Sequence, residues 1–335
     1  MTKSPEAKLM SPPGREIRYL RISATDLCNL RCIYCMPPEG VPLLPHDEIL
    51  TFEETALIAR RAAGLGIEHL RLTGGEPLVR KDIIKLVRML ASIPGIRDLS
   101  LTTNGTLLSG MARDLKAAGV KRITISIDTL DEEKYARITR GGKLTDALSG
   151  LTSAKAAGFE NIKVNCVAMR SINDDEISSF VHFADKEDIE VRFIELMPVG
   201  NRGLADEGLF FPAWEIRKRL EKAGRLIPVS SSKGGGPASP TGGPAVAYSI
   251  EGKRGKIGLI TAVSEPFCSR CNRLRLTAGG KLRSCLLAGG EIDLLPILRE
   301  KGDPALLDAA FFEAARAKPQ CHKYSGEVLM SRIGG

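Results

Sequence analysis

The stretch "YLRISATDLCNLRCIYCMP", residues 19–37, decides how the rest of the chain is read. It begins as a strand, "RYLRIS" at 18–23, and runs almost at once into Cys28, Cys32 and Cys35 at C-x3-C-x2-C spacing. A closed zinc or iron–sulfur site takes four protein ligands, and no fourth stands nearby. Thiolates are soft ligands suited to zinc, copper(I) and iron–sulfur clusters. Three of them can hold three irons of a cubane and leave the fourth iron open to a substrate or cofactor. A zinc site completed by a remote His or Asp is the plainer alternative. The glycine turn "TGGEP" at 73–77 favours the cluster.

Working outward, strand-like and helix-like segments alternate from Arg15 to about Met197. "TFEETALIARRAAGLG" opens with Thr51 and Glu54 at capping-box spacing and ends in glycines, so it reads as a helix. "HLRLTGGEP" is a strand entering a turn. "RKDIIKLVRMLASIPG" puts Ile83, Val87 and Leu90 on one helical face and stops at Pro94-Gly95. "DLSLTTNG", "KRITISID", "NIKVNCVAM" and "IEVRFIELM" supply further strands, with "SGMARDLKAAG" and "DDEISSFVHFADK" as helices between some of them. Ile123, Ile125 and Ile127 share one face of their strand. Six β-α repeats imply a parallel sheet with helical crossovers, and we expect an α/β fold, a barrel or partial (β/α)6 barrel rather than an open doubly wound sheet, between which periodicity alone does not decide. The cysteines then sit at the mouth formed by the C-terminal strand ends.

We expect a flexible leader over 1–13, the barrel over 14–225 and a smaller C-terminal domain over 226–335. The Gly/Pro/Ser-rich stretch at 230–245 reads as a loop, followed by a hairpin around Glu251-Gly252.

Composition narrows the partners. The net charge is +8 and the pI about 9.1. Aromatics make up only 5%, and no strand carries a base-stacking platform, so a phosphorylated small molecule is favoured over nucleic acid. No run of 18 apolar residues exists and the N-terminus lacks a secretion signal, so we expect a cytoplasmic protein that spans no membrane. Disulfides seldom persist there, and six of the eight cysteines fall in two tight groups.

The second group is Cys268-x2-Cys271-x13-Cys285, again with no nearby fourth ligand. It reads as a zinc knuckle or as a second cluster with an open iron. Between its members lie Arg273 and Arg275, two apart on an extended segment and so on one face, with forks suited to phosphate. Cys166 reads as a core residue; Cys321 and His322 read as incidental.

The first cysteine motif, with Tyr34 before its third member, and "TGGEP" together resemble the radical S-adenosylmethionine (SAM) superfamily. Adding "RLTGGEPLVR", "LTTNG", "RFIELMPVGN", "FCSRCNRLRL" and the terminal Gly334-Gly335, the chain closely resembles the GTP 3′,8-cyclase family of molybdenum cofactor biosynthesis. That resemblance implies two 4Fe-4S clusters, on Cys28, Cys32 and Cys35 and on Cys268, Cys271 and Cys285. It implies SAM contacts at Tyr34, Gly75, Ser126 and Met197. GTP contacts are implied at Arg21, Arg71, Thr102, Lys163, Arg273, Leu274 and Arg275, and a Gly334-Gly335 tail reaching the active site. It further implies a reduced flavodoxin or ferredoxin-type donor, a homodimer, and a following cyclic pyranopterin monophosphate synthase. A radical SAM peptide-modifying enzyme is the alternative within the superfamily. A zinc-stabilised RNA or phosphoprotein module is the alternative outside it.

Overall fold

The computed structural model describes residues 8–199, 208–229, 243–288, 290–321 and 330. Strands β1 (Met10–Ser11) and β2 (Arg15–Glu16) form a small antiparallel hairpin. The leader expected over 1–13 is therefore structured from residue 8. Leu9 is fully buried in the core, and its carbonyl accepts a hydrogen bond from the Ile17 N–H.

Six strands then pair in chain order, all parallel: β3 (Tyr19–Ser23), β4 (His69–Thr73), β5 (Asp98–Thr103), β6 (Arg122–Ser126), β7 (Lys163–Ala168) and β8 (Glu190–Glu195). The crossovers carry α1 (Phe52–Gly64), α2 (Ile83–Ala91), α3 (Ala112–Ala117), α4 (Glu132–Thr139), α5 (Leu144–Ala156) and α6 (Ile177–Glu187). The capping box of α1 is formed: Thr51 Oγ1 accepts from Glu54 N at 3.1 Å, and Glu54 Oε2 accepts from Thr51 N at 2.8 Å. On α2, Ile83, Val87 and Leu90 are fully buried. Helix α3 is shorter than the spacing suggests, because a 3-10 turn over Leu108–Gly110 and the φ of −126° at Met111 interrupt it.

The remaining strands extend this sheet at both edges. After α7 (Ala213–Glu221) come β9 (Leu226–Pro228), β10 (Val246–Ile250) and β11 (Lys256–Ile260), the last two forming the expected hairpin. Strand β11 adds in parallel to β8, Lys256 opposite Glu190. At the far edge β12 (Arg273–Leu276) adds in parallel to β3, with Arg273 opposite Tyr19 and Arg275 opposite Arg21. Strands β13 (Lys281–Arg283) and β14 (Glu291–Asp293) continue that edge, and α8 (Pro304–Arg316) packs on α1 through the Arg61–Asp308 pair. Eight parallel strands thus run β12-β3-β4-β5-β6-β7-β8-β11 within one twelve-stranded sheet. The 225/226 division marks a change of connectivity inside a continuous sheet. Among the described residues its two parallel edges, β12 and β11, do not pair with each other, so the barrel they form is open.

Candidate active site

One cavity collects side chains from all eight parallel strands, which a flat sheet would not allow. Arg21 comes from β3, Arg71 from β4, Thr102 from β5 and Ser126 from β6. Asn165, Arg192, Ile260 and the pair Arg273 and Arg275 come from β7, β8, β11 and β12. Period-two alternation explains the selection: the intervening Leu20, Ile22, Leu70, Leu72 and Ile123 go to the helical layer and are buried there.

The first cysteine loop closes one end. Cys28, Cys32, Tyr34 and Gly75 line the cavity, as does Met197. Cys35 does not line it; its N–H donates to the Cys32 carbonyl at 2.9 Å in the turn that joins them. A hydrogen bond between the two thiols, followed by burial, pushes Cys32 well up. Burial also pushes the Cys28 thiol up to about 12. The loop is moored through Tyr34, whose hydroxyl donates to Asp128 Oδ2 at 2.7 Å while Asp128 Oδ1 accepts from Val167 N at 2.8 Å. Burial holds the Asp128 carboxyl up at about 6.

The glycine turn serves a purpose the sequence reading did not anticipate. Gly75 N–H donates to the Thr25 carbonyl at 2.8 Å and Glu76 N–H to the Leu27 carbonyl at 2.7 Å. A Cβ on Gly75 would lie 2.2 Å from Leu27 O, and one on Gly74 2.6 Å from Thr25 O. The space left by the missing side chains is filled by the cysteine loop's own backbone. Glu76, buried, accepts from Leu78 N, Thr103 Oγ1 and Asn104 N, fastening this turn to the end of β5. Burial lifts its carboxyl to about 7.

The opposite end is cationic and holds the second cysteine group. Cys268, Cys271 and Cys285 all line the cavity. Burial alone would raise the Cys271 thiol, but the charges of Arg273 and Lys318 outweigh it and hold the thiol at about 6. Arg21 Nε is buried with no hydrogen-bond partner. Burial, and after it the like charges of Arg275 and Arg71, holds its guanidinium well below the usual range. Arg71 donates to the hydroxyls of Ser100 and Thr102 at 3.2 and 3.4 Å.

Two expected substrate contacts do not reach the cavity wall. Lys163 lies on the correct face of β7 but a layer deeper, where Nζ pairs with Glu190 Oε2 at 2.7 Å. Leu274 is fully buried in the core, on the face of β12 opposite Arg273 and Arg275. The structure adds Arg122, Arg192 and Lys318 to the wall. Alternation could have found the first two, since Arg122 shares a face with Ser126 and Arg192 with Glu190. Lys318 follows α8 and has no local signal. Gly334 and Gly335 lie outside the described residues. Cys166 is buried, its thiol 3.4 Å from the Asp128 carbonyl.

All six clustered cysteines are free thiols. Among the described residues no three His, Cys, Asp or Glu side chains converge on a single metal ion. Thiols that each bind a different iron of a cubane need no such convergence, and two all-sulfur trios, five of whose six members line the cavity wall with Cys35 just behind Cys32, fit such groups.

The class follows from this frame: residues 22–184 match the Radical SAM superfamily, and residues 189–324 match Molybdenum Cofactor Synthesis C. The chain is 49% identical over 325 residues to a GTP 3′,8-cyclase of Moorella thermoacetica, covering 96% of this chain and 98% of that protein. It is 43% identical over 334 residues to one of Geobacter sulfurreducens, covering 98% and 100%. This chain belongs to the GTP 3′,8-cyclase family of radical SAM enzymes. The crystal structure of Streptococcus suis SuiB bound to S-adenosylmethionine shares the fold, with a TM-score of 0.61 at 14% identity over 92% of this chain and 67% of that one. No helix among the described residues is long and apolar enough to cross a membrane.

Proposed function

We propose that this chain is a radical SAM GTP 3′,8-cyclase, catalysing the first step of molybdenum cofactor biosynthesis. Two chemically distinct ends of one cavity, one with buried carboxyls and one with guanidinium groups, carry the reading. Glu76 and Asp128 stand on the side of Cys28 and Cys32, where a cationic sulfonium and amine would be accommodated. Arg21, Arg71, Arg273 and Arg275 stand on the other, where a triphosphate would meet them. Cys28, Cys32 and Cys35 would hold a 4Fe-4S cluster, and Cys268, Cys271 and Cys285 a second one. When bound, the first cluster would supply the reductive cleavage of SAM, the radical chemistry that removal of the ribose 3′ hydrogen and the joining of carbon 3′ to guanine carbon 8 would require. The chain's own contribution is orientation. Tyr34, Gly75, Ser126 and Met197 bracket the SAM end, the arginines fix the phosphates, and the barrel wall excludes water. Full-length relatives at 43–49% identity are cyclases, whereas SuiB shares only the fold, so the peptide-modifying alternative is not favoured.

The reading extends to a cytoplasmic homodimer, supplied with electrons by a reduced flavodoxin or ferredoxin and followed by cyclic pyranopterin monophosphate synthase. It also extends to a Gly334-Gly335 tail that enters the site. After anaerobic reconstitution we expect about eight irons per chain, two cubanes' worth; about four would remove the second cluster. With SAM and reductant, 5′-deoxyadenosine should form with GTP at more than about ten times the rate seen with ATP, a difference of about 1.4 kcal/mol. Equal rates with all nucleotides, or none with GTP, would reject the assignment.

A further inference from the structure

Arg15, on β2, is a buried cation outside the cavity wall, and among the described residues its hydrogen bonds all go to neutral acceptors. Its Nε donates to Ser11 Oγ at 3.0 Å and its Nη1 to the Cys268 carbonyl at 2.6 Å. Its Nη2 donates to the carbonyls of Pro12, Lys318 at 3.2 Å and Pro319 at 3.0 Å. The residue it reaches, Lys318, is equally buried. Lys318 Nζ donates to the carbonyls of Arg273 and Ser284, each at 2.7 Å. The carbonyls gripped by these two side chains fall at Cys268 itself, two residues beyond Cys271, and next to Cys285.

We propose that Arg15 and Lys318 are positioning residues that clamp the three backbone segments bearing Cys268, Cys271 and Cys285 into one arrangement. The inference rests on reading that trio as a cluster site. Short-range forces give those segments little reason to stay together. Cys268 and Cys271 share one turn, whereas Cys285 arrives after a strand pair, and the segment after α8 comes from elsewhere in the chain. A guanidinium with five donors in a fixed plane can bind carbonyls from several segments at once, and a buried cation so engaged is costly to release. The clamp also ties the N-terminal hairpin to the start of the C-terminal segment.

The test uses the full-length, anaerobically reconstituted chain and the variants Arg15→Ala, Arg15→Lys and Lys318→Met. For Arg15→Ala we expect iron to fall from about eight to about four per chain, with SAM cleavage at the first cluster retained. The EPR signal assigned to the second cluster should be lost or broadened. Arg15→Lys should fall between, because an ammonium has three donors where the guanidinium has five. A metal-independent readout is alkylation of Cys268 in the apo chain by iodoacetamide, followed by mass spectrometry. It should run at least about tenfold faster in Arg15→Ala and in Lys318→Met as the loop opens. Full iron with an unchanged spectrum and an unchanged alkylation rate would overturn the proposal. So would loss of both clusters together with a collapsed melting transition, which would make Arg15 a support for the whole fold. If the unsubstituted chain holds only about four irons, the cluster reading itself fails, and the Cys268 rate still reports on the clamp.

Discussion

Gly75→Ala is expected to abolish turnover while leaving the fold assembled. The new Cβ would lie 2.2 Å from Leu27 O, 2.6 Å from Leu27 C and 2.8 Å from Asp26 O. All three are backbone atoms, so no rotamer change relieves the contact. The loop must shift by roughly an ångström, at an overpacking cost of about 1–3 kcal/mol. Because Gly75 N and Glu76 N both donate into this loop, the shift breaks the bonds that register the glycine turn against Cys28. Displacement of that size costs about 10²-fold in rate even where every catalytic group survives. Here it also disturbs the first trio. The measurement is iron content, uncoupled SAM cleavage and melting temperature in one preparation. We expect about half the iron, no detectable 5′-deoxyadenosine and a transition lowered by only a few degrees, about 1–3 kcal/mol in stability. Retained activity would show that the two loops are not locked together.

Arg21→Met should separate stability from function in opposite directions. Arg21 Nε is buried without a hydrogen-bond partner, and Arg71 and Arg275 crowd it with like charge. Such a group costs folding free energy that an apolar side chain of similar length recovers. The variant should therefore melt about 2–4 °C higher than the parent in the absence of nucleotide, a gain of about 1 kcal/mol. With this cation gone, GTP affinity should fall about 30- to 150-fold, corresponding to about 2–3 kcal/mol for a desolvated charge contact. Saturating GTP stabilises the parent by mass action and should reverse the order of the two melting temperatures. Thermal melts with and without GTP, in the presence of SAM, test both halves. A variant that melts lower without nucleotide and binds GTP normally would show that Arg21 is structural.

Much of this architecture was legible because its cues are local. The alternation of "RITIS" identifies the cavity face of β6, the Thr51/Glu54 spacing identifies the start of α1, and both are formed as read. What escaped depends on distant partners. Leu9 and Ser11 look like leader residues until Ile17 and Arg15 are folded against them. Lys163 shows the limit most clearly. A period of two says which face a side chain takes, but not its height along the barrel axis, and it is height that sets Lys163 beside Glu190. Lys318 enters the wall only because α8 returns the chain to β12, and no spacing in the sequence announces that.

The ladder between β12 and β3 has a last consequence. Arg275 stands directly across from Arg21, and the two cysteine loops hang from opposite ends of one hydrogen-bonded rail, Cys271 before the start of β12 and Cys28 beyond the end of β3. On the proposed reading, the gap that a nucleotide and a sulfonium would share is a caliper cut by strand spacing, and molecules of the wrong length are expected to fit it poorly.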